Sequence, residues 1–473
     1  MKKLEKIEKW IIEHKLFFVV TLSVISRIFL YRYYKMMTWD GAAFVMNAKY
    51  FLGHKIYFEL IRPPIFPLLL GVGLVLGDIH IIPIIISILS IIVTFLLAEK
   101  LFDDRTAIIS VILLALNPLH LINSGFFLAE ITSLLFLILS LLFFIDVKKM
   151  KKDAIKLYIS SFFFTLSFLT KYQNFLFIIP AILILYKKGI LFKKETFFSS
   201  FIILLTVSPW LSFNFINYGD PFESIKYAIL YPSEAKPEPI FFYLTKLREV
   251  FGFWFIVVLI SLILGLRKLK EENYLILYSF IFIYLIAASI FPHKEERYLL
   301  PIVPFPLIIS AKFLIDLLNL KLMKNVLLRK MCVSIFVLLL ISYFPQIAIE
   351  LNSNKVLKCY SNIINAANYV SGTNGTVIAP NWPLIAYYGN VKTIPFTYEP
   401  KDFDWYVSYY NVSYVIVSLE REVLESFGSS AGESINYVVN RSFFDHKDYL
   451  VMEKELKDEC GIFLIYGVRN WTY

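Results

Sequence analysis

The chain has 473 residues, of which 58% are hydrophobic and only 18% carry a charged side chain. Soluble globular proteins are nearer to about 45–50% apolar and about 25% charged, so this composition, with a mean hydropathy of +0.66, excludes an ordinary soluble protein. Recurrent apolar runs long enough to cross a bilayer predict a polytopic membrane protein instead. The net charge of +10 comes largely from lysines in short loops rather than from one basic stripe, so we expect no nucleic-acid binding.

The first apolar run covers about residues 12–31 and follows a lysine-rich start, Met1-Lys2-Lys3. This beginning resembles that of a signal peptide, but no small-residue cleavage site comes after it. Polar residues, Ser26 and Arg27 among them, come instead. We therefore predict an uncleaved membrane span with a cytoplasmic N-terminus.

Four later loops are rich in lysine and arginine, and they determine the predicted topology. They lie at residues 146–156, 186–195, 266–272 and 321–330, and the positive-inside bias places all four in the cytoplasm. Consecutive loops on one side must be separated by an even number of spans. The prediction is about eleven spans, at residues 12–31, 81–98, 106–123, 129–146, 154–170, 173–186, 197–214, 251–266, 274–291, 299–318 and 331–348. The C-terminus is then outside.

One apolar run leaves the count open between eleven and twelve. Residues 63–77 are short for a span and have prolines near their start. If this run crossed the membrane, the loop at residues 99–105 would move outside and Glu130 would move inside. If it lies in the interface as a juxtamembrane helix of a long first external loop, every basic loop stays inside. We adopt this second alternative.

The composition changes beyond about residue 350. Asn, Ser, Thr, Asp and Glu become more frequent, and short β-type runs appear at residues 376–379, 414–419 and 462–468. Helical stretches alternate with them, near residues 355–370 and 401–411. This pattern predicts a small α/β domain.

The predicted division is a transmembrane domain over residues 1–349 and a soluble, extracytoplasmic α/β domain over residues 350–473. The second part carries all the Asn-x-Ser/Thr sites of the sequence, at Asn374, Asn411, Asn440 and Asn470. Such sites are acceptors of N-glycosylation outside the cytoplasm, which agrees with the predicted location. Cys359 and Cys460 could form a disulfide there or remain two thiols, and the sequence leaves both open.

Ionisable residues interrupt the apolar sequence at a few places that the topology puts on one side of the membrane. Asp40 and Arg62 fall in the first external loop, Glu130 starts a span, and Lys171 lies at the outer tip of a hairpin. The largest group is His-Lys-Glu-Glu-Arg-Tyr at residues 293–298, between two apolar runs. Charges are costly beside hydrocarbon, so these side chains must face water, lipid headgroups or a polar cavity.

Several ordered motifs within about residues 30–310 resemble the GT-C superfamily of polytopic glycosyltransferases, which use sugars linked to lipid phosphates. Those similar to the protein mannosyltransferase and aminoarabinose transferase branch are Trp39-Asp40-Gly41, Ala48-Lys49-Tyr50, Gly53-His54, Arg62-Pro63-Pro64, Pro67, Phe127-Leu128-Ala129-Glu130, Leu169-Thr170-Lys171, Ser208-Pro209-Trp210, Asn214 and Gly219-Asp220-Pro221-Phe222. Residues 293–298 resemble the His-Lys-Glu-x-Arg-Phe motif of lipid-linked mannosyltransferases, with Tyr298 in place of phenylalanine. Many protein mannosyltransferases have an Asp-Glu pair where this chain has Asp40-Gly41, which leaves the acceptor class open.

The resemblance implies a transferase site at the outer face of the membrane. Such a reaction requires a base to deprotonate an acceptor hydroxyl and cations to stabilise the departing phosphate. We predict Asp40 as the base, with Glu130 as a second catalytic carboxylate that orients the acceptor or assists Asp40. The residues predicted to bind the donor are Arg62, Lys171, His293 and Arg297. The alternatives are carboxylates that cap helices or face solvent, and cationic side chains that snorkel to the interface.

We therefore predict an integral membrane glycosyltransferase, a hexosyltransferase with an inverting mechanism. It would transfer a sugar from a polyprenyl- or dolichyl-phosphate donor to a lipid, glycan or protein acceptor on the outer face. The predicted fold is an all-α polytopic membrane bundle of about eleven transmembrane helices, with juxtamembrane helices in the first external loop and a small C-terminal soluble α/β domain. Membrane lipid is an expected partner of such a chain.

No cofactor is expected, because the sequence has neither a Walker loop nor His or Cys pairs at metal-binding spacing. A divalent ion among Asp40, Glu130 and Asp220 is conceivable but has no support in the sequence. The main alternative function is a transporter or flippase of polyprenyl lipids or solutes. Transporters keep ionisable residues near the bilayer midplane and often contain paired half-repeats, whereas here the charges gather at one face. A non-catalytic scaffold would give no reason for charged groups on four outer segments.

Overall fold

The structure is a computed structural model, and it describes residues 10–28, 37–147, 150–233, 238–320, 325–345, 347–348, 360–397, 399–419, 437–458 and 461–469. The apolar runs form helices, since in hydrocarbon each backbone polar group must find its hydrogen-bond partner within the segment. The first helices are α1 (Lys15–Ile28), α2 (Trp39–Phe51), α3 (Ile65–Leu76), α4 (Ile81–Leu101), α5 (Asp104–Leu116), α6 (Pro118–Asn123) and α7 (Ala129–Phe144).

The helical part continues to residue 341. Its helices are α8 (Met150–Phe168), α9 (Ile178–Lys187), α10 (Lys194–Tyr218), α11 (Glu223–Ser233), α12 (Phe242–Thr245), α13 (Leu247–Phe251), α14 (Phe255–Gly265), α15 (Glu272–Ile290), α16 (Pro304–Leu318) and α17 (Val326–Ile341). Short 3₁₀ turns occupy Tyr172–Phe177, Gly252–Trp254, Leu266–Lys268, Glu296–Leu299 and, in the C-terminal part, Pro400–Asp402.

Among the described residues, five helical segments are long and apolar enough to cross a membrane by length and composition. They are Ile81–Leu101, Lys194–Tyr218, Leu247–Lys268, Glu272–Ile290 and Val326–Pro345. Shorter apolar helices include Ile65–Leu76, Ala129–Phe144 and Tyr172–Lys187. The prediction of a multi-pass membrane protein is thus confirmed, and the number of eleven spans and the orientation of the termini stay predictions.

The span predicted at residues 106–123 is two helices, α5 and α6. Helix α5 ends at Leu116 because the next residues start a new helix: the Asn117 side-chain oxygen accepts a hydrogen bond from the His120 backbone N–H at 3.0 Å. Pro118 follows at the first helical position, where its missing N–H costs nothing. The dipeptide Asn117-Pro118 is therefore the local reason for the break.

The outer surface of the bundle is apolar. On α10, for example, Phe197, Leu204 and Ile216 are 77%, 62% and 78% exposed. Contiguous apolar surface of this kind is rare on soluble monomers, and lipid tails would cover it in a membrane. Inside the bundle, a single large core includes Phe95, Leu134 and Trp254.

The C-terminal part is built on a five-stranded mixed sheet. Its strands are β1 (Thr376–Ile378), β2 (Thr393–Ile394), β3 (Val412–Ser418), β4 (Leu450–Asp458) and β5 (Gly461–Val468), in the order β2-β1-β3-β5-β4. Strand β1 is parallel to β2 and β3, whereas β5 is antiparallel to β3 and β4. The described residues of this part include the helices α18 (Tyr360–Val370), α19 (Trp382–Gly389), α20 (Phe403–Tyr409) and α21 (Arg441–Asp445).

Side chains alternate between two cores because successive residues of a strand point to opposite faces. Val377 and Ile416 pack with α18 and α19 on one face. Ile378 and Val415 pack with α20 and α21 on the other. The helices and strands predicted within the described residues of this part are confirmed, while β2 and β4 were not predicted. Strand β4 is hard to recognise because it is an edge strand with Glu and Lys on exposed positions, as edge strands often are.

Some predictions fall on residues outside the described ones. These are the proposed domain boundary at residues 349 and 350, the possible pair of Cys359 and Cys460, and the glycosylation site at Asn470. The other three predicted glycosylation sites, Asn374, Asn411 and Asn440, are exposed.

The C-terminal part packs directly on the first-loop helix α2. Ala43 and Met46 of α2 form one buried cluster with Tyr57 and with Ala386 of α19. A larger cluster joins other residues of α2 and α3 to α18, α19 and the sheet. Because alanine lies at this contact, the two helices can approach closely. The position of α2 therefore depends on the C-terminal part.

We predict that Ala386→Leu lowers the stability of this contact. The added methyl groups would have to enter a filled core, which typically costs about 1–3 kcal/mol. Thermal unfolding of the full chain in lipid nanodiscs would show a lower apparent Tm. An unchanged Tm would mean that the contact between α2 and α19 is loosely packed.

Candidate active site

Asp40 lies in the first turn of α2, near the helix N-terminus. The helix begins here because the Thr38 hydroxyl accepts a hydrogen bond from the Gly41 backbone N–H at 3.1 Å. The positive end of the helix dipole favours a carboxylate at this position. A Cβ on Gly41 would lie 2.9 Å from Thr38 Oγ1 and 3.1 Å from Phe127 Cβ. A larger residue after Asp40 would thus push α2 away from the segment that carries Glu130.

Both carboxylate oxygens of Asp40 contact arginine side chains. Arg62 Nη2 lies 2.6 Å from Oδ1, and Arg297 Nη1 lies 2.5 Å from Oδ2. The Asp40 side chain is only 18% exposed. These ion pairs join two positions of the first loop to the 3₁₀ turn Glu296–Leu299, which comes late in the sequence.

Glu130 forms the second carboxylate centre. It lies in the first turn of α7 and its side chain is 5% exposed. Lys171 Nζ is 2.5 Å from Glu130 Oε1, and Arg297 Nε is 3.8 Å from the same oxygen. The Lys171 ammonium also lies 4.2 Å from the centre of the Tyr298 ring. Arg297 therefore lies between Asp40 and Glu130.

Glu295 fixes the orientation of Arg297. Its carboxylate lies 2.6 Å from Arg297 Nε and accepts a hydrogen bond from Nη2 at 2.9 Å. The Tyr298 hydroxyl and His293 Nε2 each lie 3.0 Å from Glu295 Oε1. His293 thus joins the cluster through Glu295, and its side chain is 40% exposed. The structure places it at the rim of the site.

The two remaining charges of this turn brace it from outside the cluster. Lys294 Nζ donates to the Glu238 carbonyl at 2.8 Å. Glu296 forms an ion pair with Lys246 at 2.8 Å. Both contacts hold the turn against the segment from Glu238 to Lys246, which includes α12. Lys294 and Glu296 therefore have structural contacts, and we assign neither of them to the reaction.

Glu59 belongs to the site although sequence analysis did not select it. It accepts a hydrogen bond from Arg62 Nε at 2.8 Å. The Asn47 side chain holds its backbone, with Nδ2 donating to the Glu59 carbonyl at 2.9 Å and Oδ1 accepting from its N–H at 2.8 Å. The Glu-x-x-Arg spacing of Glu59 and Arg62 is the feature of the sequence that could have identified Glu59.

The structure brings five of the six predicted site residues into direct contact. These are Asp40, Glu130, Arg62, Lys171 and Arg297, and His293 follows through Glu295. Asp220 lies elsewhere: it forms an ion pair with Lys226 and accepts from the Phe222 N–H at 2.8 Å. Across the described part of the chain, no group of three or more His, Cys, Asp or Glu side chains is arranged to hold a metal ion.

The charges of the cluster shift the pKa of its members. Burial by itself would raise the pKa of Asp40, but the positive charges of Arg62 and Arg297 outweigh it and lower the pKa from 3.8 to about 2. Burial lowers the pKa of Lys171, and the Glu130 carboxylate offsets only part of that effect. For Glu295, Arg297 outweighs burial and holds the pKa well below its usual range. Asp40 is consequently an anion at every physiological pH.

An all-helical apolar bundle with a charged cluster at its helix ends and a small α/β part beside that cluster fits the GT-C fold that the sequence motifs predict. Comparison with known proteins agrees. The family model of dolichyl-phosphate-mannose-protein mannosyltransferase matches residues 62–213, a stretch that includes Arg62, Glu130 and Lys171. No curated protein sequence matches the chain.

Solved structures of similar fold include bacterial and archaeal proteins. ArnT from Cupriavidus metallidurans, bound to undecaprenyl phosphate, has a TM-score of 0.68 and 11% identity, covering 95% of this chain and 97% of that one. The oligosaccharyltransferase AglB from Archaeoglobus fulgidus, in complex with an inhibitory peptide and a dolichol-phosphate, has a TM-score of 0.57 and 13% identity, covering 98% and 75%. The arabinofuranosyltransferase AftD from Mycobacteria has a TM-score of 0.53 and 13% identity, covering 96% and 41%. The predicted GT-C fold with an ArnT-like architecture is confirmed.

We predict that Asp40 makes stability depend on pH in acid. Its pKa is lower in the folded chain than the ordinary 3.8, so its ion pairs stabilise the fold above about pH 4 and are lost as the pH falls towards 2. The difference corresponds to about 2 kcal/mol. The stability difference between wild type and Asp40→Asn should shrink by about that amount between pH 5 and pH 2.

Apparent unfolding temperatures in detergent across this pH range would measure the effect. Asp448→Asn, at an exposed aspartate of the C-terminal part, is the matched control for the substitution itself. A wild-type-to-variant difference that stays constant from pH 5 to pH 2 would contradict the arrangement of Asp40 between two guanidinium groups.

Proposed function

We propose that the chain is an integral membrane hexosyltransferase that takes its sugar from a polyprenyl- or dolichyl-phosphate donor and works with inversion. The acceptor is a hydroxyl of a lipid, glycan or protein on the outer face of the membrane. The observation that carries this proposal is the partly buried cluster of Asp40, Arg62 and Arg297 with Glu130 and Lys171. In this cluster a candidate base lies among cations, at the ends of apolar helices where a lipid-linked phosphate could arrive.

The cations fit a phosphate that is anchored in the bilayer. Arg297 offers a planar guanidinium whose donors match phosphate oxygens in pairs. Arg62 and Lys171 lie on its two sides, each one carboxylate away. Polyprenyl phosphate is also the kind of lipid bound by the structurally similar ArnT, and dolichol-phosphate by AglB. We assign the donor phosphate to Arg297, with Arg62 and Lys171 as additional cations and His293 at the rim.

Asp40 is a weak base as long as both arginines are paired with it, since a carboxylate with a pKa near 2 accepts a proton poorly at neutral pH. A donor phosphate would compete with Asp40 for the guanidinium of Arg297. As Arg297 turns to the phosphate, the pKa of Asp40 rises because one of its two stabilising charges is then shared. Donor binding would in this way prepare the base.

The reaction then needs one displacement. The acceptor oxygen gives its proton to Asp40 and attacks the anomeric carbon of the sugar. The bond between that carbon and the phosphate oxygen breaks, and its electron pair leaves with the phosphate, where Arg297 stabilises the growing charge. Attack from the face opposite the phosphate inverts the configuration at this carbon.

Glu130 supports the cationic side of the site. It is almost fully buried and holds the Lys171 ammonium at 2.5 Å. Removing one partner of a buried ion pair leaves an uncompensated charge. We assign to Glu130 the role of keeping Lys171 and Arg297 in place. Glu130, the second carboxylate, would then contribute to catalysis by positioning these two cations.

The outward orientation of this site rests on the positive-inside bias of the loops. It would place the C-terminal part outside the cytoplasm as well, because that part packs on α2. A transporter has no comparable support. The ionisable cluster lies at helix ends and in loops, with none of its members in a midspan position.

We predict that Asp40→Asn abolishes turnover while the protein still folds and binds the donor. The amide keeps the shape of the side chain but cannot take a proton, and loss of a general base commonly reduces the rate about 10²–10⁴-fold. The measurement is transfer of radiolabelled mannose or glucose from polyprenyl phosphate to lipid, glycan and peptide acceptors.

The control for Asp40→Asn is Asp220→Asn, which makes the same change in an ion-paired aspartate outside the cluster. This variant should keep the wild-type rate. A wild-type rate in Asp40→Asn would remove Asp40 from the role of base. Reduced turnover with equally reduced donor binding would instead indicate a structural role.

We predict that Arg297→Ala raises the KM for the donor at least about 30-fold, because truncating one partner of a buried charge pair costs about 2 kcal/mol or more. Arg297→Lys should recover only part of the loss, since an ammonium cannot bind two phosphate oxygens in the same plane.

Lys246→Ala is the matched control for Arg297→Ala. It removes an ion pair of the same turn, with Glu296, that does not touch Asp40. Initial rates over a range of donor concentrations would give KM and kcat for all three variants. An unchanged donor KM in Arg297→Ala would count against phosphate binding by this residue.

A further inference from the structure

A cleft lies between residues 56–59 of the first loop and the C-terminal part of the chain. It has a volume of about 340 Å³, within the usual range of small-molecule sites. Its lining includes Tyr57, Phe58, Glu59, Trp382, Lys392 and Thr393. One wall is therefore an extended loop segment, and the opposite wall is the start of α19 with the edge strand β2.

Two contacts connect this cleft to the charged cluster. The first is Glu59, which lines the cleft and accepts a hydrogen bond from Arg62 at 2.8 Å. Arg62 in turn forms the ion pair with Asp40. The same Glu59 carboxylate also accepts a hydrogen bond from the Tyr57 hydroxyl. Along this route, the side chains of Glu59 and Arg62 connect the cleft to Asp40, the candidate base.

The second contact is between two tryptophan rings. Trp382 lines the cleft, and its ring centre lies 4.5 Å from that of Trp39, at an angle of 82°. Trp39 directly precedes Asp40 in the first turn of α2. Because α2 and α19 share a buried core, this geometry is held by the fold. The C-terminal part thus contributes a wall of the cleft and contacts the residue that precedes Asp40.

The side chains in the cleft combine aromatic surface with hydrogen-bonding groups. Phe58 and Trp382 are half-buried and present apolar ring surface, and Trp382 also carries a polar N–H. Tyr57 is buried, and its hydroxyl donates to Glu59. Glu59 is an acceptor and Lys392 a donor, and the Lys392 side chain is exposed. A hexose ring has the same mixture, with C–H groups on its faces and hydroxyls at its edge. Such a ring can lie against an aromatic side chain while its hydroxyls bond to Glu59 and Lys392.

Two other occupants fit less well. A prenyl chain would bury Glu59 and Lys392 against hydrocarbon, which is costly for charged groups. An extended peptide would have to pair with strand β2, whose edge is only two residues long, Thr393–Ile394. The hydroxyl of Thr393 is also occupied, since it donates to the Trp382 carbonyl at 2.8 Å. Peptide binding by strand addition uses longer edges.

We propose that this cleft is a binding subsite for a hexose unit of the acceptor, so that the acceptor of this enzyme is a glycan or glycolipid. The proposal rests on the transferase function proposed above, and it specifies the acceptor class of the same site. Trp382 and Phe58 support the sugar ring, and Glu59 and Lys392 bond to its hydroxyls. The adjoining sugar then points its free hydroxyl towards Asp40.

Binding of simple sugars to the full chain tests this proposal. The probes are methyl glycosides of mannose, glucose, galactose and N-acetylglucosamine and their disaccharides, added to the protein in lipid nanodiscs. Saturation-transfer NMR and equilibrium titration would measure binding, and binding of polyprenyl phosphate would be measured in the same samples. We expect at least one glycoside to bind the wild type. Trp382→Leu and Lys392→Glu should each weaken it at least tenfold without changing polyprenyl-phosphate binding.

Trp405→Leu is the matched control, because Trp405 is an exposed tryptophan of α20, on the other face of the same sheet. This variant should bind the glycosides as the wild type does. Lys392→Glu changes an exposed side chain, so it tests the cleft even if Trp382→Leu fails to fold. No binding of any glycoside by wild type that binds polyprenyl phosphate would overturn the proposal. Equal glycoside binding by wild type and Lys392→Glu would overturn it too.

The test separates this subsite from the transferase function. If serine- or threonine-containing peptides bind in a Trp382-dependent way and no glycoside does, the hexose subsite is refuted while the transferase function remains. If glycosides bind in a Trp382-dependent way and polyprenyl phosphate does not bind, the subsite is supported and the proposed donor is wrong.

Discussion

The ion pairs of Asp40 with Arg62 and Arg297 are the interaction on which the rest of the site depends. They join the first loop to a turn more than two hundred residues later in the sequence. Burying such charges costs several kcal/mol for each ion unless partners and hydrogen bonds compensate, and here each charge has a partner. Glu295 holds Arg297, Glu59 holds Arg62, and Glu130 holds Lys171. The four carboxylates and three cations form one connected group. A substitution of any of them would therefore change the electrostatic environment of Asp40.

This group also explains how an anion could serve as a base. Asp40 is stabilised as a carboxylate by the same arginines that suit a phosphate. A lipid-linked phosphate that competes for one of them would weaken that stabilisation. Recognition of the donor and activation of the acceptor would then be coupled through one guanidinium group. The rest of the fold compensates the free-energy cost of bringing these charges together. Helix ends meet at one end of the apolar bundle, and the C-terminal part packs on α2.

Sequence analysis selected the members of the cluster for a simple physical reason. Asp40, Arg62, Glu130, Lys171 and Arg297 are ionisable residues at the boundaries of apolar runs, where charge is costly without a function. Glu59 and Trp382 were missed because neither stands out locally. Glu59 is one more carboxylate in a polar loop, and Trp382 is one of many aromatic residues in a chain with 45 Phe and 30 Tyr. Their importance comes from contacts between distant segments.

The sequence by itself determined the membrane class, the helical bundle, three strands of the C-terminal sheet, and most of the charged residues of the site. These properties follow from hydrophobicity and periodicity, which are local. Only the tertiary structure decided that Arg297 bridges Asp40 and Glu130, that His293 reaches the cluster through Glu295, and that Trp382 at the start of α19 lines a cleft with residues 56–59. Pairing between segments depends on which helix ends meet in space, and no local pattern encodes that meeting.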